Sequence, residues 1–215
     1  AQEPVKLVCA GRTDTGVHAS MQVAHFDTAA HRPLEAWVRG VNSHLPPSIG
    51  VLWAVEVDES FHARFSAEAR RYRYVLLNRR IRPGLAGGRV GWTHGDLDEE
   101  AMAAAAACLA GEHDFTSFRA AECQAKSPVR LMHSVSVQRR GEVVVFDFHA
   151  NAFLHHMIRN LVGSLVFVGK GRRPVGWMEE LLAARNRSLA APTFAPEGLY
   201  LCGVDYPPQW PLPGG

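Results

Sequence analysis

Hydrophobic positions recur along the chain at two spacings, and each spacing predicts a different kind of element. Apolar residues at every second position predict strands over residues 49–57 and 70–77. In the second of these strands Tyr72 and Tyr74 share one face, and arginines alternate with them on the other. Two further apolar runs flank Gly141 and predict a β-hairpin.

Apolar residues three and four positions apart predict helices. The strongest pattern covers residues 153–168, and Asp98 is typical of an N-cap for a helix that Gly111 ends. The remaining predicted elements are helices over residues 34–44 and 175–187 and strands over residues 5–10, 20–28 and 199–206. We expect the strands over residues 5–10 and 20–28 to pair with each other. Strands and helices that alternate irregularly, with hairpins, favour an α+β protein with a mostly antiparallel sheet.

Composition narrows the class of protein. The 215 residues are 47% apolar, with 23 basic and 21 acidic side chains, which excludes global disorder. The longest uncharged apolar run, residues 161–169, is about half of what a bilayer requires, so we expect no membrane partner. The cysteines are widely spaced, which suits neither a zinc site nor a disulfide framework and predicts a cytoplasmic protein with reduced thiols. They are Cys9, Cys108, Cys123 and Cys202.

Positive charge is concentrated in one stretch of the chain. Within it the only acid is Glu68, and Tyr72 and Tyr74 are interleaved. Charge for phosphates and rings for unstacked bases are what a nucleic-acid surface needs. A strand with one solvated basic face is the alternative. The arginines are Arg64, Arg70, Arg71, Arg73, Arg79, Arg80 and Arg82.

Two segments look like ligand-binding motifs, one for phosphate and one for a metal ion, but neither has the residues or spacing that such a site needs. Residues 163–170 lack the glycine spacing of a phosphate loop, and Lys170 is followed by glycine. His155 and His156 are adjacent on a predicted helix, where neighbouring side chains point about 100° apart, so we expect them not to face one ion. The sequence therefore predicts neither a metal nor a cofactor.

The segment GRTDTGVHA, residues 11–19, combines an acid with flanking glycines after a predicted strand. Glycines allow a sharp turn and the close approach of a ligand. Asp14 is thus a candidate exposed carboxylate, and Arg12 a partner for it or for a phosphate. The alternative is a turn in which Asp14 bonds only to its own backbone.

These residues resemble a known family. GRTDTGVHAS is similar to the catalytic motif of the tRNA pseudouridine synthase A family, whose usual form has GRTDAGVHA. Four further segments resemble the family in its order, so the resemblance covers nearly the whole chain. They are RFSAEARRYRY (64–74), GEHDFTSFR (111–119), ANAFLHHMIRNLVGSLVFVG (150–169) and EGLYLCGVDYP (197–207).

The resemblance implies an activity and a fold. It implies isomerisation of uridines 38, 39 and 40 in the tRNA anticodon stem-loop to pseudouridine, without cofactor or metal, by a homodimer. The implied fold has two ferredoxin-like halves, with the active site in a cleft between them. We expect residues 1–66 to form an N-terminal catalytic half and residues 67–215 a C-terminal half. Family members carry an additional strand and helix before the Asp14 loop, so a fragment or an omitted leading segment is expected.

The resemblance also assigns roles to residues. Asp14 corresponds to the nucleophile, Tyr72 to the active-site tyrosine and Arg159 to the arginine that pairs with the catalytic acid. Arg12 corresponds to the arginine that takes the space of the flipped base. The predicted RNA-binding residues are Arg64, Arg70, Arg71 and Arg73. Tyr72 could instead be a core aromatic residue, and Arg159 could instead bind a phosphate.

Two other functions stay open at the level of sequence. A catalytically silent RNA-binding module would keep the basic surface and bind tRNA without turnover. A hydrolase acting on nucleosides through Asp14 would need a second acid, which none of these motifs supplies. The atom that Asp14 attacks, on the sugar or on the base, is also left open.

Overall fold

A computed structural model describes residues 3–210 and 212–213, which fall into two compact units. Unit 1 comprises the described residues of Ala1–Arg12, Gln22–Glu68 and Val204–Gly215, and unit 2 comprises Thr13–Met21 and Ala69–Gly203. The strands are β1 (Val8–Cys9), β2 (His18–Ala19), β3 (Ala24–His25), β4 (Ala69–Asn78), β5 (Gly91–Thr93), β6 (Gly111–Asp114), β7 (Val129–Arg140), β8 (Val143–Ala150) and β9 (Leu199–Asp205). The helices are α1 (Leu34–Asn42), α2 (Glu99–Ala106), α3 (Met157–Gly169) and α4 (Trp177–Ala184).

Unit 1 contains short strands and one helix. β1 and β3 pair antiparallel, with Val8 opposite His25, which confirms the predicted pairing although each strand is only two residues long. The predicted helix over residues 34–44 is α1, which starts directly after Pro33. Pro33 is the N-cap residue, and its carbonyl accepts a hydrogen bond from the N–H of Ala36 at 2.9 Å where the helix begins.

Unit 2 is built on a seven-stranded sheet with the order β2-β9-β4-β8-β7-β6 and with β5 beside β4. The long neighbours β4/β8 and β7/β8 pair antiparallel, whereas the short strands β2 and β5 pair parallel to β9 and β4. The prediction of a mixed fold with a mostly antiparallel sheet is therefore confirmed. The division into two ferredoxin-like halves around a cleft, with a boundary at residues 66 and 67, stays a prediction.

One face of this sheet packs against helices α2, α3 and α4. Alternate residues of β8 are buried, so that Val144 and Phe146 point into the core while Asp147 on the opposite face is half exposed. α3 is buried along almost its whole length, since it packs against α2 and α4 and its apolar residues share one core with those of the sheet. The apolar core of unit 2 thus makes α3 a fixed support for residues at its N-terminal end.

The hairpin and the start of the helix after Asp98 are confirmed, but the α-helix ends at Ala106, and Gly111 is the first residue of β6. Gly141 adopts a positive φ of 61° in the turn between β7 and β8, which a glycine does without steric penalty. The side chain of Asp98 accepts a hydrogen bond from the backbone N–H of Ala101 and caps α2. Both elements depend on signals within a few residues, which explains why the sequence predicts them.

The predicted strand over residues 49–57 is wrong, since those residues form no strand within the described part of the chain. The backbone of Val51 is instead bound by the side chain of Asn42, which donates to its carbonyl at 2.8 Å and accepts from its N–H at 2.7 Å. Alternation alone does not make a strand, because a strand also needs a neighbour to receive its backbone hydrogen bonds.

The helix predicted over residues 153–168 begins later than expected, at Met157. His156 precedes it with a left-handed backbone (φ 60°, ψ 4°), which cannot continue a right-handed helix. His155 and His156 therefore lie ahead of α3 rather than on it. Across residues 3–210 and 212–213, no helix has the length and hydrophobicity to cross a bilayer.

Candidate active site

Asp14 lies in a tight turn at the N-terminal start of unit 2. The backbone N–H of Val17 donates to the carbonyl of Asp14 at 3.0 Å, and Gly16 in this turn has a φ of 83°. A glycine is favoured at such a position, and a Cβ there would also press against Pro196. The Asp14 side chain is 24% exposed, so its carboxylate is held by protein yet open to a ligand.

Arg159 reaches Asp14 from the first turns of α3. Its Nη1 lies 3.4 Å from Asp14 Oδ2, near the 3 Å expected from the sequence, while its Nε donates to the carbonyl of Phe194 at 2.8 Å. The backbone N–H of Phe194 in turn donates to the carbonyl of Arg159 at 3.1 Å. The Phe194 carbonyl thus holds the guanidinium through Nε, and the contact with the carboxylate is made by Nη1.

The segment that carries Phe194, residues 190–196, is attached firmly to α3. Asn160 Oδ1 accepts hydrogen bonds from Thr193 Oγ1 at 2.7 Å and from Arg187 Nη2 at 3.0 Å. A Cβ at Gly163 would overlap the carbonyl oxygen of Pro192, so only glycine permits this approach. The packing of this segment on α3 therefore sets the position of Arg159.

His155 and His156 both contact Asp14, which corrects the expectation that the two imidazoles point apart. His155 Nε2 lies 3.2 Å from Asp14 Oδ1, and His156 Nε2 lies 3.2 Å from Asp14 Oδ2. Their ring centroids are 3.9 Å apart. The expectation was wrong because it used helical geometry for residues that precede the helix. That the helix begins only after these two histidines was missed, because the spacing of apolar residues gives no sign of where the helix starts.

Electrostatics favour a neutral His156. Burial lowers the pKa of His156, and the positive charges of His155 and Arg159 lower it further, against the opposing negative charges of Asp14 and Glu122. At neutral pH its imidazole is therefore uncharged and has one N–H to donate.

Tyr72 lies on β4 close enough to sense the charge of Asp14. Its ring meets that of Phe153 edge to face, with centroids 5.1 Å apart. Burial raises the pKa of Tyr72 to about 12, an effect that Arg70 opposes and Asp14 adds to. The phenol is consequently protonated throughout the neutral range.

The arginines of β4 differ in their partners. Arg73 forms a fork with Asp147 on β8, at 2.7 Å from Nε to Oδ1 and 3.2 Å from Nη2 to Oδ2. Arg70 donates through Nη1 to the carbonyl of Asn151 at 3.1 Å. Arg71 is exposed and runs its side-chain carbons along Gly203.

The other two predicted RNA-binding residues, Arg12 and Arg64, belong to unit 1. Arg12 is exposed, and the guanidinium of Arg64 lies 5.8 Å from the ring centroid of Phe65. Phe65 is 77% exposed and stacks on His62 with centroids 4.2 Å apart. The structure thus gathers Asp14, Tyr72 and Arg159 in unit 2 and places an arginine–aromatic cluster in unit 1.

The donor atoms beside Asp14 raise the question of a metal. Among the described residues, one group of histidine, cysteine and acidic side chains could hold an ion, and it consists of Asp14, His155 and His156, whose donor atoms lie within 4.8 Å of one another. Arg159 already supplies a positive charge to the same carboxylate. With its own residues the arrangement presents a carboxylate that three nitrogen atoms contact, from His155, His156 and Arg159.

Comparison with known proteins adds independent information. A family model described as tRNA pseudouridine synthase matches residues 1–66 and 105–207. A protein named tRNA pseudouridine synthase A from Aromatoleum aromaticum is 65% identical over 214 residues, covering 100% of this chain and 81% of the relative. Proteins of the same name from Dechloromonas aromatica and Shewanella frigidimarina are 62% and 57% identical, covering 98% and 99% of this chain and 80% and 82% of the relatives.

Proposed function

Because this chain belongs to the tRNA pseudouridine synthase family, we propose that it isomerises uridines 38, 39 and 40 in the anticodon stem-loop of tRNA. The reaction breaks the bond from uracil N1 to ribose C1′, turns the detached base, and joins C5 to C1′. C5 loses its proton and N1 gains one, so substrate and product have the same composition. Neither oxidant nor co-substrate is consumed.

Asp14 is the proposed nucleophile, and its surroundings carry the proposal. A carboxylate that attacks must be accessible and must also be aimed, and Asp14 combines 24% side-chain exposure with contacts to Arg159, His155 and His156. The Arg159 guanidinium compensates the negative charge of the carboxylate without enclosing it. In this role Arg159 is a partner of the acid rather than a ligand for phosphate.

Tyr72 is proposed to contact the uracil ring. An aromatic side chain beside the nucleophile offers a surface on which a detached base can stack while it turns. With a pKa raised to about 12, the phenol keeps its proton at neutral pH and serves as a hydrogen-bond or proton donor to the base.

RNA binding and base flipping are assigned to the arginines. A base within a stem must leave its stack before a carboxylate can reach its glycosidic bond, and Arg12 is proposed to occupy the space it leaves. The proposed phosphate contacts are Arg64, Arg70, Arg71 and Arg73. We further propose that the protein acts as a homodimer, which the mass of the protein in solution, measured by light scattering, tests.

The experiment is tritium release from tRNA that carries 5-tritiated uridine, because the C5 proton is lost only in the isomerisation. Asp14→Asn should abolish release while tRNA binding stays within about threefold, since shape is retained and only one charge is removed. Asp96→Asn, at an exposed carboxylate of the same unit, is the matched control and should keep wild-type release. Release by the Asp14→Asn protein would refute the assignment. Tight tRNA binding by the wild-type chain without release would instead indicate an RNA-binding module.

A further inference from the structure

His156 has a backbone conformation that ordinary residues avoid. Its φ is 60° and its ψ is 4°, in the left-handed region, where a side chain crowds the following carbonyl group. Of the described residues other than glycine, only Arg185, with a φ of 48°, shares a positive φ. Glycine would adopt the conformation without this penalty, so the histidine side chain needs a separate explanation.

Capping of α3 does not provide that explanation. The His156 side chain forms no capping hydrogen bond with the helix that it precedes. The backbone carbonyl of His156 accepts from the N–H of Asn160 at 3.0 Å, an interaction that any residue at this position supplies. The start of the helix therefore needs the backbone of residue 156 and not its imidazole.

The imidazole is directed at Asp14 instead. His156 Nε2 lies 3.2 Å from Oδ2, and His155 Nε2 lies 3.2 Å from Oδ1. Arg159 contacts Oδ2 through Nη1, while its Nε donates to the carbonyl of Phe194. His155 contacts one oxygen, and His156 and Arg159 both contact the other, so nitrogens on both oxygens limit rotation of the carboxylate about its Cβ–Cγ bond. The His156 ring also lies against the ring of His155, with centroids 3.9 Å apart, and so supports the contact that His155 makes.

The backbone around the two histidines is held from outside α3. The N–H of Ala120 donates to the carbonyl of His155 at 3.1 Å, and the N–H of His155 lies 3.4 Å from Cys123 Sγ. These contacts give the surrounding structure the means to keep residue 156 in its strained conformation.

We propose that His156 is a positioning residue, whose imidazole holds Oδ2 of Asp14 and the ring of His155 in place and so keeps the carboxylate oriented for attack, and that its left-handed backbone is retained because it aims the imidazole there. His155 holds the second oxygen from a more exposed position, 39% against 27%. The inference rests on the proposed function in that Asp14 is taken as the nucleophile.

The test uses the strained backbone of His156, because glycine adopts this conformation without a penalty. His156→Gly removes the imidazole and relieves the positive φ, so the melting temperature should be unchanged or higher. The single-turnover rate of tritium release should fall at least about tenfold, with the Kd for tRNA within twofold of wild type. Arg185→Gly is the matched control, since it relieves the same kind of strain at the end of α4, and its rate should stay within twofold of wild type.

A second variant separates positioning from folding. His156→Gln keeps an amide N–H that reaches the place of Nε2, and it should recover at least about threefold of the rate lost by His156→Gly. A His156→Gly protein that keeps the wild-type rate would overturn the inference. So would a lowered melting temperature of His156→Gly combined with a wild-type rate for a stably folded His156→Gln, because the role would then be structural.

Failure of the proposed function is distinguishable from failure of this inference. If the wild-type chain releases no tritium, the function fails, and crystal structures of the wild-type and His156→Gly proteins then decide the positioning role. A rotated Asp14 carboxylate in the variant supports it, and an unchanged carboxylate overturns it. If the wild-type chain is active, the tritium-release rates of the two His156 variants decide whether His156 positions Asp14.

Discussion

Two arginine–carboxylate pairs in unit 2 differ in both geometry and exposure. Arg73 and Asp147 form a fork with distances of 2.7 and 3.2 Å, and their side chains are 51% and 42% exposed. Arg159 and Asp14 share one contact of 3.4 Å, but their side chains are only 14% and 24% exposed. The pair with the better hydrogen bonds is therefore the one that water and salt weaken most.

The difference shows that the strength of an ion pair and its importance are separate properties. Arg73 directs two nitrogens at one carboxylate, that of Asp147. This links strands β4 and β8, which backbone hydrogen bonds already hold together. Arg159 divides its nitrogens between Phe194 and Asp14, which makes a weaker pair but an oriented one. We therefore expect changes at Arg159 to act on rate, and changes at Arg73 or Asp147 to act on RNA binding and, slightly, on stability.

The largest effect is expected from Arg159→Lys. Lysine keeps the charge but has one nitrogen in place of the two that meet the Phe194 carbonyl and Asp14, and it lacks the planar fork that orients them. We expect the single-turnover rate of tritium release to fall about 100-fold, with little change in the Kd for tRNA. Near-complete rescue by lysine, together with weaker tRNA binding by Arg159→Ala, would show that the guanidinium binds a phosphate instead.

An intermediate effect is expected from Asp147→Asn. The change leaves the charge of Arg73 uncompensated on the exposed face of β4, so tRNA should bind more tightly and the slope of log K against log salt should steepen by about 0.7–0.9. Asp96→Asn makes the same change in net charge elsewhere in unit 2 and serves as the control. Equal slopes for both variants would mean that this face does not meet RNA phosphates.

The smallest effect is expected in the free energy of unfolding. A double-mutant cycle of Arg73→Ala and Asp147→Ala, followed by urea denaturation, should give a coupling energy of about 0.2–1 kcal/mol, because both side chains are largely exposed. A coupling of several kcal/mol would show that geometry outweighs exposure here and would reverse the comparison.

The sequence predicts those parts of the fold that depend on nearby residues. Strand β4 follows from alternation, the hairpin from Gly141, and the start of α2 from Asp98, since each signal acts over a few residues. The segment 49–57 carries the same kind of alternation and forms no strand, because pairing depends on what lies beside it. Local pattern thus specifies the element only where the tertiary structure supplies a neighbour.

The candidate site also has a part that the sequence predicts and a part that depends on the tertiary structure. Asp14 stands out in its glycine-flanked loop, but its contact with Arg159, 145 positions away, is expected only through the family resemblance. The two histidines were missed because their placement depends on the left-handed backbone of His156. The backbone of the preceding His155 is bound by Ala120 and Cys123, and the spacing of apolar residues gives no sign of these contacts.

The close contact at Gly163 has a consequence for how this sequence can change over time. Any side chain at position 163 would push the carbonyl of Pro192 away from α3, and the displaced segment carries the Phe194 carbonyl that steadies Arg159. A mutation at this buried residue, which has no chemistry of its own, is therefore expected to lower activity as well as stability. In a population that needs the reaction, we therefore expect glycine to persist at position 163, although it touches no reacting atom.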